Sequence, residues 1–266
     1  MSAPAAPRSL RDAFPANWPF RIGVIVLIAY VIYAAQILDV TWDRFLVGLE
    51  QGSRFLGRMI PPDVSGDKPA LLYQGMIESL QIAILASAIG IALSLPLGVL
   101  AARNLAPWWI STPVRAFIAL CRALHYVIVA ILFVKAIGFG ALAGVAALVV
   151  ASVGFIAKLF AEALEEISMK PVEAVRATGA GTMAVLLYAV LPQVASRFVG
   201  FCLYQLDSNL RNSTLVGIVG AGGIGGTLFA AFKRFDYDFV CAILIAIIAL
   251  IFLAELLSGR VRAALR

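Results

Sequence analysis

Long apolar runs constrain this chain more than any motif in it. VIVLIAYVIYAAQIL near the start and CAILIAIIALIFLAELL near the end are the plainest, and four more lie between them. About 20 such residues in a helix cross a bilayer, and a helix closes its own backbone hydrogen bonds where lipid offers none. On that basis the spans run Phe20–Leu38, Leu71–Ala101, Val114–Ile137, Ala141–Glu165, Met183–Leu206 and Phe239–Leu257. Charged residues make up only 14% of the chain, against about 25% in soluble domains, and the shortfall falls inside these runs. The expected fold is all-α: a polytopic membrane protein of about six transmembrane helices.

Between the first two spans, TWDRFLVGLEQGSRFLGRMIPPD places Phe45, Leu49, Leu56 and Ile60 at helical spacing among charges. This predicts an amphipathic helix lying on the membrane, stopped by Pro61 and Pro62. The second span is longer than a perpendicular crossing needs, so it tilts or projects beyond the lipid. Counting Lys and Arg on each side, span ends included, gives eleven against eight with both termini inside, and Arg122 and Arg197 lie deeper and are counted on neither side. The positive-inside bias therefore favours cytoplasmic termini at a bacterial plasma (inner) membrane. The resulting organisation is a cytoplasmic tail over 1–19, a first span with its interfacial segment over 20–69, a core of five spans over 70–257 and a basic tail over 258–266. The first apolar run is too long for a signal peptide, so the first helix is expected to be retained.

The net charge of +6 is accounted for by basic residues at helix ends, and no Lys/Arg-rich run suggests a nucleic-acid surface. Cys121, Cys202 and Cys241 lack CxxC spacing and read as buried thiols, and the single His125 cannot build a metal site. Gly220-x-Gly222-x-x-Gly225 in RNSTLVGIVGAGGIGG matches the dinucleotide fingerprint, which would make the chain a membrane oxidoreductase. That motif needs a soluble βαβ unit and an acidic residue about 20 positions on, where this chain has CAILIAIIAL. The glycines, Gly223 included, are instead expected to form a re-entrant turn or hinge on the outer half, lining a pathway. On that reading Gly222→Val blocks transport while assembly persists.

The segment 166–182 falls on the inner side. Pro171 suits a first helical turn, Glu173 favours an N-terminal dipole, Gly179 and Gly181 can end the helix and Thr182 can cap the next. A short projecting helix follows, either a lever or an ordinary loop helix. Glu173, Ala174, Gly179, Leu191 and Pro192 match the pattern EAA-x3-G-x9-I-x-LP, with Val175 and Ala189 as apolar departures. The segment thus resembles the EAA loop of ABC-importer permeases. Together with RFLGRMIPPD, KLFAEALEEI and LRNSTLVGIVGAGGIGGTLFAAFKRFDYD, it resembles phosphonate-type permeases over about 45–257.

The resemblance implies a homodimer that carries phosphonate, phosphite or phosphate, two ATPase subunits on the cytoplasmic side and an extracytoplasmic binding protein. It implies ATPase coupling through Pro171, Glu173, Ala174, Arg176 and Gly179. No GxxxxGK[ST] loop is present, so ATP and Mg belong to the partner chain, and this subunit is expected to hold no cofactor or metal and to be no enzyme. The competing class is an ion-gradient-driven transporter of a small anion, for which neither an internal repeat nor a midplane carboxylate is evident.

Candidate pathway residues are Asn209, Arg211, Ser213 and Thr214 beside the glycines, with Arg122 and Arg197 deeper in. A guanidinium suits an oxyanion. The same arginines also suit a buried ion pair, for example with Glu78, or a lipid headgroup. The outer polar group equally suits loop capping.

Overall fold

The computed structural model describes residues 18–39 and 41–264, so the tail over 1–17 and the last two residues lie outside the described residues. The chain divides into two compact units, Met1–Arg58 and Met59–Arg266. In the first, α1 (Trp18–Ile37) is an apolar helix of 20 residues with every side chain exposed or half-exposed. That is about 30 Å of helix, the thickness of a bilayer core. The second helix, α2 (Trp42–Met59), carries Phe45, Leu49 and Leu56 between charges, with Arg54 paired to Glu50 at 2.6 Å.

The second unit is built on α3 (Lys68–Ala101), α4 (Trp108–Ala123), α5 (Tyr126–Ile137), α6 (Ala141–Glu165), α7 (Met169–Ala177), α8 (Thr182–Ile218), α9 (Ile224–Lys233) and α10 (Tyr237–Ala264). Among the described residues five helices are long and apolar enough to cross a membrane, or six if α4 and α5 count as one bent span. No strand occurs among the described residues.

Helices α3 and α6 form the central pair. Gly75, Ser79, Ala83, Ser87, Gly90, Ser94 and Gly98 are buried along one face of α3. Lipid gives no hydrophobic reward for joining two apolar helices, so they associate where small side chains let the backbones approach. A Cβ on Gly90 would strike Ser152 and one on Gly98 would strike Phe160. The equal offsets make the two helices parallel.

Three sequence expectations change. Val114–Ile137 is not one helix: α4 and α5 meet at 90°, where Leu124 and His125 take extended conformations. The His125 imidazole caps α5, accepting from the Val127 N–H at 3.4 Å. The fifth span does not stop at Leu206 but runs to Ile218, so the whole SNLRNST stretch is helical and not loop. After a first α-helical turn, Thr182–Val185, it passes through a π-helical turn, Leu186–Val190, ahead of Pro192. A proline cannot donate to the preceding turn, and a wider turn accommodates that loss. Finally, α10 continues through the expected tail as far as Ala264.

Candidate functional site

Two regions at opposite ends of α8 carry the candidate residues. At its start, α7 stands between α6 and α8. Pro171 lies in its first turn, but Glu173 falls in the second turn and so does not cap the helix dipole as expected. Thr178 and then Gly179, at φ +80°, end the helix. Gly181, not Thr182, is the N-cap of α8, and no side chain caps it.

One side of α7 is rooted in the bundle. Val172 is fully buried among Phe160, Leu164, Val185, Val190 and Val194, and Val175 packs against the same cluster. The position where the EAA pattern has its second alanine, Val175 here, therefore faces this chain's own core, where a larger apolar side chain fits. Pro171, Glu173, Ala174, Arg176 and Gly179 are all exposed.

Two side chains one turn apart on α8 brace the approach to α7. Gln193 accepts from the Ser168 N–H at 3.0 Å and donates to the carbonyls of Ser168 and Ala189 at 3.2 and 2.7 Å. Arg197 pairs with Glu166 at 2.6 Å, so its acidic partner is not Glu78. Gln193 and Glu166 had no role in the sequence reading. The i, i+4 spacing of Gln193 and Arg197 beside LP was the available signal.

At the other end, α8 is tied to the central pair by buried polar groups. Asn209 is fully buried; its amide donates to Ser87 Oγ and Ser152 Oγ at 2.9 Å each and accepts from Gln205 at 2.9 Å. Gln205 also donates to Ser152 Oγ at 3.0 Å. The amide donors of Asn209 and Gln205 all have acceptors, which a low-dielectric interior requires. Ser213 is likewise buried, with its hydroxyl on the Leu210 carbonyl at 2.7 Å.

Arg211 is exposed over 57% of its side chain and, among the described residues, pairs with Asp207 at 3.2 Å. The second carboxylate oxygen of Asp207 is buried without a partner.

The glycine turn follows. Helix α9 runs on from α8 in the same sense, antiparallel to α3, so the stretch 219–223 interrupts a span and does not double back. Its depth follows from Ser79, whose hydroxyl accepts from the Ile224 N–H at 2.9 Å. Ser79 lies about 16 Å along α3 from Lys68 at 1.5 Å per residue. Gly220, Gly222 and Gly223 have φ of +88°, +81° and +82°, conformations that a Cβ disfavours.

Neighbours close around the turn. The Gly140 N–H donates to the Gly220 carbonyl at 3.0 Å. A Cβ on Gly225 would collide with the Thr214 carbonyl, and one on Gly222 would lie 2.8 Å from the Ala141 backbone and 2.7 Å from Glu78 Oε1. Non-helical backbone at this depth is thus enclosed by protein. Arg122, in the last turn of α4, belongs to neither region and borders a cavity with Arg115 and Lys158. Among the described residues no group of three or more His, Cys, Asp or Glu could hold a metal.

Comparison with known proteins agrees with this geometry. Residues 94–266 match the family described as "Binding-protein-dependent transport system inner membrane component". The chain is 39% identical over 254 residues to the phosphite transport system permease protein PtxC of Stutzerimonas stutzeri, covering 94% of this chain and 91% of that one. It is 44% identical over 212 residues to the phosphate-import permease protein PhnE of Mycolicibacterium smegmatis, covering 78% of this chain but 39% of that protein's length. Among solved structures, a chain of the inward-facing MetNI methionine ABC transporter superposes with a TM-score of 0.67 at 26% identity, over 76% of this chain and 99% of its own. This chain therefore belongs to the binding-protein-dependent transport system inner membrane component family, as a transport subunit and not an enzyme.

Proposed function

We propose that the chain is the permease of an ATP-driven importer of phosphonate, phosphite or phosphate, working as a homodimer. The permeases of phosphite and phosphate systems among its relatives support that cargo class. Two ATPase subunits, which bind ATP and Mg, dock on the exposed face of α7 from the cytoplasm, and a binding protein delivers the anion at the opposite end. The bracing of α7 carries this reading. An exposed helix rooted through Val172 and pinned by Gln193 and Arg197 moves with α6 and α8 as one body. In this orientation both termini are cytoplasmic, 1–19 and 258–266 are tails, and 70–257 is the permease core.

Within the pathway we assign anion contact to Arg211. A guanidinium has five N–H donors, and Asp207 takes up one hydrogen bond of Arg211. Asn209, Ser213, Thr214 and the turn at Gly220, Gly222, Gly223 and Gly225 hold the helix that presents it. Arg197 braces α7, because Glu166 already occupies it.

The test is reconstitution in lipid discs with the ATPase and the binding protein. ATP hydrolysis is measured with phosphonate-, phosphite- or phosphate-loaded binding protein, and one of these is expected to stimulate it. Arg211→Ala is expected to lower transport without lowering ATPase docking, and unchanged uptake at normal expression would remove Arg211 from the pathway. Uptake that persists after ATP depletion would instead make the chain a gradient-driven transporter.

A further inference from the structure

A cavity of about 220 Å³ opens between α4, the end of α3 and α6, lined by Ala101, Arg115, Ile118, Arg122, Lys158 and Ala161. Three cations around a mainly apolar floor are unusual inside a membrane protein, where ionisable groups are costly and normally neutralised. Two of them are neutralised here. Arg115 pairs with Glu165 and donates to the Ala101 carbonyl at 2.8 Å, and Lys158 pairs with Glu162. Arg122 differs: it has no hydrogen-bond or ion-pair partner among the described residues. The cavity therefore carries one uncompensated positive charge.

Its level is set by its neighbours. Ala101 ends α3, and Lys158 lies about 10 Å along α6 from Glu165. Trp108 and Trp109, 79% and 63% exposed, begin α4 at the same end of the bundle, and tryptophans favour the headgroup level. Phe117 and Leu120, on the face of α4 turned away from the cavity, are 50% and 59% exposed. A basic pocket with a mainly apolar floor at one membrane face, on a helix that starts with exposed tryptophans, suits an amphiphile with an anionic head. The volume equals about seven waters at about 30 Å³ each, enough for a phosphodiester and part of its glycerol.

We propose that this cavity binds the phosphate of an anionic phospholipid from the cytoplasmic leaflet, with Arg122 as its principal ligand and Arg115 and Lys158 as flanking charges. The site rests on the orientation proposed above and not on the cargo.

The test uses the full chain assembled with its ATPase, delipidated in detergent. Phosphatidylglycerol or phosphatidylcholine with the same acyl chains is titrated in, and bound lipid per chain is read by native mass spectrometry. A parallel arm adds inorganic phosphate. Saturable binding of phosphatidylglycerol is expected, weakened about fivefold by Arg122→Gln. Arg122→Lys should restore it, and Arg260→Gln, the same charge change elsewhere, should leave it in place.

Equal binding of both lipids would overturn the proposal, as would equal losses in the Arg122 and Arg260 variants. Displacement of the lipid by inorganic phosphate would overturn it too, marking a site for free oxyanion. Should Arg122→Gln fail to assemble, Lys158→Gln and the comparison of two lipids on the unaltered protein decide. Loss of import in the reconstituted system with lipid selectivity intact would count against the cargo reading alone.

Discussion

The glycine break at 217–225 and the coupling segment at 166–181 both depend on glycine, for opposite reasons. In the break, glycines exist because neighbouring backbone occupies the space where a Cβ would stand: Gly217 faces Gly222 and Gly225, and Gly225 faces Thr214. In the coupling segment, a Cβ on Gly179 or Gly181 would meet nothing within 4 Å. There Gly179 serves only the left-handed turn that ends α7. One region is sealed at mid-depth by its neighbours, and the other is an exposed bracket attached at a few points. The comparison separates a part that cannot yield without repacking three helices from one that, on the proposed function, another chain must reach.

The largest expected effect comes from violating the sealed region. Gly225→Val is expected to cost about 3 kcal/mol or more, because it overpacks against backbone that cannot move away. Loss of monodisperse protein in detergent, or a lowered melting temperature, reports it. Gly222→Val is expected to behave alike, with left-handed strain added to the contact with Ala141. This replaces the sequence-based expectation that assembly would survive that change. A normal melting temperature for both would show that the break is looser than its packing implies.

Next comes the bracket. Gln193→Ala combined with Arg197→Glu removes both braces of α7 and sets like charges at Arg197 and Glu166. The pair is well exposed, so the stability change should stay within about 1 kcal/mol. Transport per ATP hydrolysed is expected to fall severalfold, and unchanged coupling would show that Val172 alone suffices to carry the motion.

A smaller effect is expected at Gly179. Alanine there costs about 1 kcal/mol for its positive φ, whereas asparagine, which tolerates that conformation, should recover most of it. Equal melting temperatures for the two variants would deny the turn any role.

The smallest effect lies at the opposite end of the bundle, where Lys68 bonds Asp63 at 2.6 Å and Asp236 at 3.0 Å. The hydrogen bond from Lys68, helped by Ser65, lowers the Asp63 carboxyl to about 2. A folded value below the usual aspartate value of about 3.9 means that this contribution is complete above that value and is lost as pH falls through about 2. No change from this group is expected between pH 5 and 8. Lys68→Met should move the Asp63 titration, followed by NMR, up towards the ordinary range.

Much of the architecture was legible because lipid leaves a helix little choice. Apolar length alone located most of the long helices, and the Pro171 and Gly179 signals located the short helix α7. The small-residue stripe from Gly75 to Gly98 was equally readable, since Ser79, Ala83 and Ser87, then Gly90, Ser94 and Gly98, recur every four residues. What hydropathy could not reveal was where apolar helix stops being straight. Val114–Ile137 is apolar apart from Arg115, Arg122, His125 and Lys135, and its 90° bend at Leu124 and His125 belongs to the seating of α4 on Gly154, where a Cβ would touch the Arg122 and Cys121 backbone.

Composition and spacing by themselves determined that this chain is a bundle of apolar helices with a short helix set between two of the long ones. They did so because those properties depend on local hydrogen bonding and on the solvent around each segment. The tertiary structure alone decided which polar groups are internal struts and which remain free. Asn209 and Arg211 are two residues apart in one polar stretch, yet Asn209 faces Ser87 and Ser152 in the core while Arg211 reaches outward from Asp207. Successive helical positions differ by about 100°, so the packing of α8 against α3 and α6 decides which one is enclosed.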